Sequence, residues 1–115
     1  MTQRDRSQLL RDLKAAFPQI TTQLNAEQGQ LHFEVDVFQR FAQRAIDDGD
    51  RDLVVRCFAL ADMYLTQGNA AVRDAIDVSF VEPLDFGSRA RERGWAWDAM
   101  PEALKQAYVV FHTPS

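Results

Sequence analysis

The chain has 115 residues, 46% of them hydrophobic, and a formal net charge of −4. That length suits one domain over residues 1–115, able to bury roughly 65% of the unfolded chain's surface, and eight phenylalanines with two tryptophans supply bulk for one core. Composition excludes whole-chain disorder, the lone Cys57 excludes an internal disulfide, and no run approaches the roughly 18 apolar residues of a membrane span. Met1 to Leu13 alternates charge with leucine where a signal peptide would be continuously apolar, so the expected location is cytoplasmic.

The spacing of Leu9, Leu10, Leu13, Ala16 and Phe17 predicts a first helix from Arg4 to Phe17, stopped by Pro18. Gln19 to Gln30 is polar, broken by Asn25 and Gly29, and reads as a connection containing at most a short helical turn. From Leu31 to Asp48 a stripe of Leu31, Val35, Phe38, Ala42, Ala45 and Ile46 predicts a helix. Phe33, Val37 and Phe41 widen that stripe toward a second neighbour. Alternation of Phe33, Val35 and Val37 also suits a strand, but the helical stripe continues for three more turns and no partner strand pattern exists.

Gly49 suits a helix C-terminal cap and Asp50 the next N-cap, which makes the flanking helices antiparallel neighbours. The next helix, Arg51 to Gln67, turns Val54, Cys57, Phe58, Ala61, Tyr64 and Leu65 inward. Gly68 and Asn69 repeat the stop and start, and a further helix carries Val72, Ala75, Ile76, Ser79 and Phe80 until Pro83 ends or kinks it. Gly87 to Gly94, with Arg89, Arg91 and Arg93 among small residues, is expected to be an exposed, flexible segment. A last helix starts near Pro101 and runs through Leu104, Ala107, Tyr108 and Phe111, ahead of the short polar tail Thr113 to Ser115. The fold class is therefore all-α: a compact bundle of about five or six helices with antiparallel helical hairpins, or a solenoid-like stack if the tandem pattern is a true repeat.

Charge is unevenly placed. Residues 25–86 hold twelve acids against five arginines, while the flanks hold eight basic residues against five acids. An acidic centre argues against nucleic acid, whose phosphates need cations, and favours a basic protein partner. Asp47, Asp48, Asp50 and Asp52 gather at the Gly49 corner and are the first candidates for partner binding, with Asp62, Asp74 and Asp77 on the following helices. The corner fails as a calcium loop, since counting from Asp48 puts Leu53 at the sixth position and Ala59 at the twelfth. The bland alternative is capping and solvation.

Catalytic and metal motifs are missing from the sequence: His32 and His112 lack a ligand spacing, there is no phosphate-cradling glycine loop, and no nucleophile elbow. Mid-helix Cys57 reads as a small hydrophobe. The expectation is a non-enzyme with no cofactor and no metal. Trp95 and Trp97 are either core anchors or binding hot spots; an extended segment would put both rings on one side, and a helix would separate them. The neighbouring arginines could satisfy the acidic centre internally or across a homodimer, which the sequence leaves open.

The segments FQRFAQRAIDDGD from Phe38, RCFALADMYL from Arg56, AIDVSFVEPLDF from Ala75 and MPEALKQAY from Met100 resemble a family of small uncharacterised bacterial helical proteins. Some of these are candidate immunity proteins of polymorphic toxin systems. The resemblance spans about two thirds of the chain and rests on core hydrophobics with Gly49, Glu82 and Leu84; Pro83 stands where a helix-compatible residue is expected. It implies an acidic surface that occludes a basic toxin, and it brings no catalytic residue. The alternatives are a helical adaptor that binds through an apolar surface at Trp95, Trp97 or the Phe33 and Phe41 edge, or a protein with a small-molecule site.

Overall fold

The computed structural model describes residues 3–86 and 90–112, and these are all-helical. Helix α1 (Arg6–Ala16) starts with a reciprocal capping box: Asp5 Oδ1 accepts from the Gln8 backbone N–H at 2.9 Å, and Gln8 Oε1 accepts from the Asp5 N–H at 2.9 Å. Phe17, next to Pro18, leaves helical geometry, and a 3₁₀ turn (Pro18–Ile20) leads into the short α2 (Thr21–Ala26). The long pair α3 (Leu31–Asp48) and α4 (Arg51–Gln67) follows with the bounds that the sequence predicts. Gly49 joins them at φ 73°, a left-handed conformation that costs a side-chain-bearing residue about 1–2 kcal/mol.

Gly68 serves a different need. Its φ of −70° is ordinary, but a Cβ there would lie 2.4 Å from the Tyr64 carbonyl oxygen and 2.8 Å from Val72 Cγ1. Only a hydrogen fits between α4 and α5 (Ala70–Ala75). The N-terminus brackets the same corner: Arg4 N–H donates to the Gln67 carbonyl at 2.9 Å, and the Asn69 N–H donates to the Arg4 carbonyl at 2.8 Å. Asn69 also caps α5 through its side chain, which accepts from the Val72 N–H at 2.9 Å.

Helix α5 runs directly into a π-helical segment, Ile76–Val81. The widened turn, closed by the Glu82 N–H on the Asp77 carbonyl at 3.2 Å, lets the consecutive Phe80 and Val81 both face the core. Helix α4 contacts α3, α5, α6 (Ala90–Ala99) and α7 (Glu102–His112), so the architecture is a bundle gathered around α4 and not a stack of sequential neighbours. Ring contacts mark its centre: Phe17 to Phe38 at 5.9 Å, Phe38 to Phe80 at 4.7 Å, and Phe58 to Phe80 at 6.4 Å. A second aromatic cluster, Phe86, Trp97 and Tyr108, fastens α6 and α7 with centroids 5.4 to 5.8 Å apart.

Two expectations need correction. Residues 90–94, expected as part of an exposed flexible segment from Gly87 to Gly94, open α6 (Ala90–Ala99), because Ala96 and Met100 are buried and the two tryptophans pack against the core; Gly87, Ser88 and Arg89 lie outside the described residues. Phe33, assigned by its spacing to a second buried side, is 57% exposed. The neighbour that covers this row reaches only its far end, where Phe17 meets Phe41 at 5.2 Å.

Among the described residues, Arg6 and Glu34 form an ion pair whose carboxylate is buried. Arg6 Nε and Nη2 donate to Glu34 Oε1 and Oε2 at 2.8 and 2.7 Å, and Glu34 is only 1% exposed, so this bidentate fork ties the start of α1 to the start of α3. Among the described residues no buried side-chain polar atom lacks a partner, and no helix is long and apolar enough to cross a membrane.

Candidate binding surfaces

Asp47, Asp48, Asp50 and Asp52 are all exposed at the corner between α3 and α4. They are not equivalent. Asp50 Oδ1 caps α4 by accepting from the Leu53 N–H at 3.3 Å, and Asp47 Oδ1 accepts from Gln43 Nε2 at 3.3 Å. Asp48 and Asp52 project from the last turn of α3 and the first turn of α4. The cation nearest in sequence, Arg51, lies over the Trp95 ring at 5.2 Å. Arg89 and the side chains of Arg91 and Arg93, proposed above as internal partners of the acids, fall outside the described residues.

The other predicted acids lie elsewhere. Asp62 stands about three turns along α4 from the corner, and its carbonyl accepts from Thr66 Oγ1 at 2.9 Å. Asp74 and Asp77 sit beside the opposite end of α3, since Asp74 meets His32 while the corner follows Asp48. At a rise of 1.5 Å per residue, His32 and Asp48 are roughly 24 Å apart along the helix. The seven aspartates therefore form two separate regions with Asp62 between. Asp77 carries a carboxyl pushed upward by burial, then by repulsion from Asp74 and Glu82.

The second region borders an open groove of about 600 Å³ between α3 and the π-helical segment, lined by Glu27, His32, Phe33, Asp36, Arg40 and Ser79 among others. His32 bridges its walls: Nδ1 lies 2.8 Å from Ser79 Oγ, and Nε2 lies 3.5 Å from Asp74 Oδ2. Serine, histidine and aspartate in contact invite comparison with a nucleophilic triad. In such triads a buried carboxylate fixes the imidazole; here Asp74 is exposed and its contact is long, so the trio reads as a latch between α3 and α5. In sequence, Asp74, Asp77 and the Phe33 edge stand as separate candidates and Ser79 lies on the stripe with Phe80, so sequence reasoning does not join them to His32. No spacing rule joins positions forty-seven residues apart.

Helix α6 separates the tryptophans. Trp95 supports Arg51 at the corner, whereas Trp97 packs edge-on against Phe86 and Tyr108, with Lys105 Nζ 5.7 Å from its ring centroid. Both are half-buried anchors. Beside Trp97 a second groove of about 500 Å³ runs along α7, where Val109, Val110 and Phe111 are exposed in succession, Val110 by 76%. Cys57 is buried in α4 with its thiol pushed up to about 12 by burial, which suits packing and not nucleophilic chemistry. Among the described residues no group of three or more metal-binding side chains converges.

The family described as "Domain of unknown function (DUF7674)" matches residues 10–113. The chain belongs to this family. The DUF7674 match takes in the acidic corner, the His32 groove and the α7 face. Among curated proteins and solved structures, no relative matches.

Proposed function

We propose that this DUF7674 domain is a small non-catalytic binding protein that occludes a basic protein partner, with a cationic toxin as the partner in its most specific form, the domain then acting as an immunity protein. The observation that carries the reading is the corner itself: Asp48, Asp50 and Asp52 face solvent together while Arg51 is drawn aside onto Trp95. Carboxylates placed this way steer a cationic partner and pair with its lysines and arginines at a rim. An enzyme would need a perturbed acid or nucleophile in an enclosed site; the raised thiol of Cys57 lies in the core, and the raised carboxyl of Asp77 lies beside a groove that is open.

The test begins with capture of partners from native lysate at low and high salt, then association kinetics with the purified partner. Asp48→Lys with Asp52→Lys is the informative pair, since Asp50 also caps α4 and its loss would cost about 1 kcal/mol of stability. Slower association and a flatter salt dependence are expected; unchanged kinetics would remove the corner from the account.

A second reading rests on the exposed Val109, Val110 and Phe111 beside Trp97. An adaptor that binds through this apolar face would be insensitive to salt and would fail on Val110→Asp. That substitution lies at the surface, whereas Trp97→Ala would also loosen the α6 and α7 cluster.

A further inference from the structure

Phe33 is the side chain that the helical pattern and the structure treat most differently. A phenylalanine more than half exposed, on the helix that buries Phe38 and partly buries Phe41, is an apolar surface turned to solvent. It does not stand alone. Across the groove Val78 is 39% exposed, with Val37 and Pro83 extending the apolar lining.

The rim of the groove is anionic. Glu27 and Asp36 line it, and Asp74, outside the lining itself, meets His32 at 3.5 Å. Asp77 and Glu82 follow Asp74 along the continuous run of α5 and the π-helical segment, and the Asp77 carboxyl is raised by burial and then by Asp74 and Glu82. The cations present are Arg40, which pairs with Asp36 at 3.0 Å, and His32 when protonated. An apolar floor with an exposed aromatic ring and an excess of carboxylates complements one kind of occupant: a long cationic side chain flanked by aliphatic ones. Its charge meets the rim and the ring face, and its stem and neighbours cover Phe33 and Val78.

We infer that the groove between α3 and the π-helical segment docks an arginine or lysine from an apolar-basic stretch of the protein partner. The inference rests on the reading that the partner is basic, and it adds a contact roughly 24 Å from the acidic corner. Two separated anionic sites on one domain would fix the partner's orientation, which a single patch cannot do. The latch of His32 on Ser79 and Asp74 ties the two walls of the groove together.

The experiment titrates the ¹⁵N-labelled chain with the capped peptide Ac-Leu-Arg-Leu-Arg-amide, with its citrulline counterpart, which keeps shape and loses charge, and with Ac-Gly-Arg-Gly-Arg-amide. The expected result is amide shifts confined to residues 31–40 and 76–83 with the first peptide, absent with citrulline, weaker with glycine, and about tenfold weaker in affinity for Phe33→Ala. Phe33 is exposed, so that variant keeps the fold, and an unchanged circular dichroism spectrum checks it. Shifts confined to residues 47–53 would overturn the groove and leave the corner standing. Equal responses to the arginine and citrulline peptides, or none at millimolar peptide, would overturn it as well. Groove shifts together with unaltered partner kinetics for Asp48→Lys with Asp52→Lys would keep the groove and discard the corner.

Discussion

Removing Arg6 should destabilise this domain far more than a half-exposed arginine ordinarily does. Glu34 is 1% exposed and receives both guanidinium hydrogen bonds, at 2.8 and 2.7 Å, so Arg6→Ala leaves a carboxylate in the core with its cation gone. Breaking a buried pair from one side costs about 3–5 kcal/mol; because the Arg6 side chain is itself 35% exposed and water can enter its place, the lower end, about 3 kcal/mol, applies. Unfolding entropy near 2.1 cal/mol/K per residue over this chain converts that loss to a fall in Tm of about 12 °C. Circular dichroism melts and urea titrations at neutral pH measure both quantities, with an unchanged m-value showing that the unfolding reaction is the same. The control is Arg6→Met with Glu34→Leu, which removes both charges and keeps the volume. It should lie within about 1 kcal/mol of the parent, since apolar replacement of a whole buried pair is close to neutral. A loss below about 1 kcal/mol for Arg6→Ala, or a double variant as unstable as the single one, would refute the reasoning that the stranded carboxylate sets the cost.

Tyr64 is buried, donates to Asp12 Oδ2 at 2.5 Å, and has its phenol pushed up to about 12 by burial and then by that carboxylate. The folded state therefore holds a proton that the unfolded chain releases near pH 10; this stability is complete below pH 10 and is lost as pH rises toward 12, on the order of 2 kcal/mol. Tyr64→Phe should cost about 1 kcal/mol at pH 7 and flatten the alkaline loss, and an identical alkaline profile in urea titrations would contradict this. For Asp77, raised by burial and by Asp74 and Glu82, the sign is the same: the native state is penalised once the carboxyl ionises, so stability grows as pH falls through the carboxylate range. Asp77→Asn should therefore gain a few tenths of a kcal/mol at pH 7 and lose that advantage in acid, and a variant less stable than its parent at pH 7 would count against the repulsion.

Helices α3 and α4 were legible to the residue because their signals agree: a continuous apolar stripe, Gly49 where a left-handed residue is needed, and Asp50 at the cap. Helix α6 was not, since glycines at 87 and 94 outweighed in the reading the good helix propensity of the Ala-Arg-Glu-Arg run between them, and the burial of Ala96 and the packing of Trp95 and Trp97 that hold the helix are tertiary facts. The π-helical segment is similarly silent in sequence, because a stripe of Val72, Ala75, Ile76 and Phe80 suits an ordinary helix, and burial of Val81 as well requires the wider turn. Glu34 did leave a trace: it precedes Phe38 by four residues and so lies on the inward stripe, where an acid demands a partner. Nothing in the spacing names that partner as Arg6, twenty-eight positions away. The acidic corner was legible as a cluster, but its separation from Asp74 and Asp77 depends on which way α5 runs beside α3.

The bracket that Arg4 makes across Gln67 and Asn69 bears on the order in which the chain comes together. Its two backbone hydrogen bonds join positions more than sixty residues apart, while the hairpin of α3 and α4 closes through Gly49 and Asp50 alone. Loop-closure entropy puts such a long-range contact late, after the hairpin has created the corner it grips. A ribosome-bound chain therefore cannot close this bracket until Gln67 and Asn69 have emerged, and in that interval α1 is held only by what α3 offers it, Phe38 and Phe41 for Phe17 and Glu34 for Arg6, with the rest of its apolar face open to chaperones.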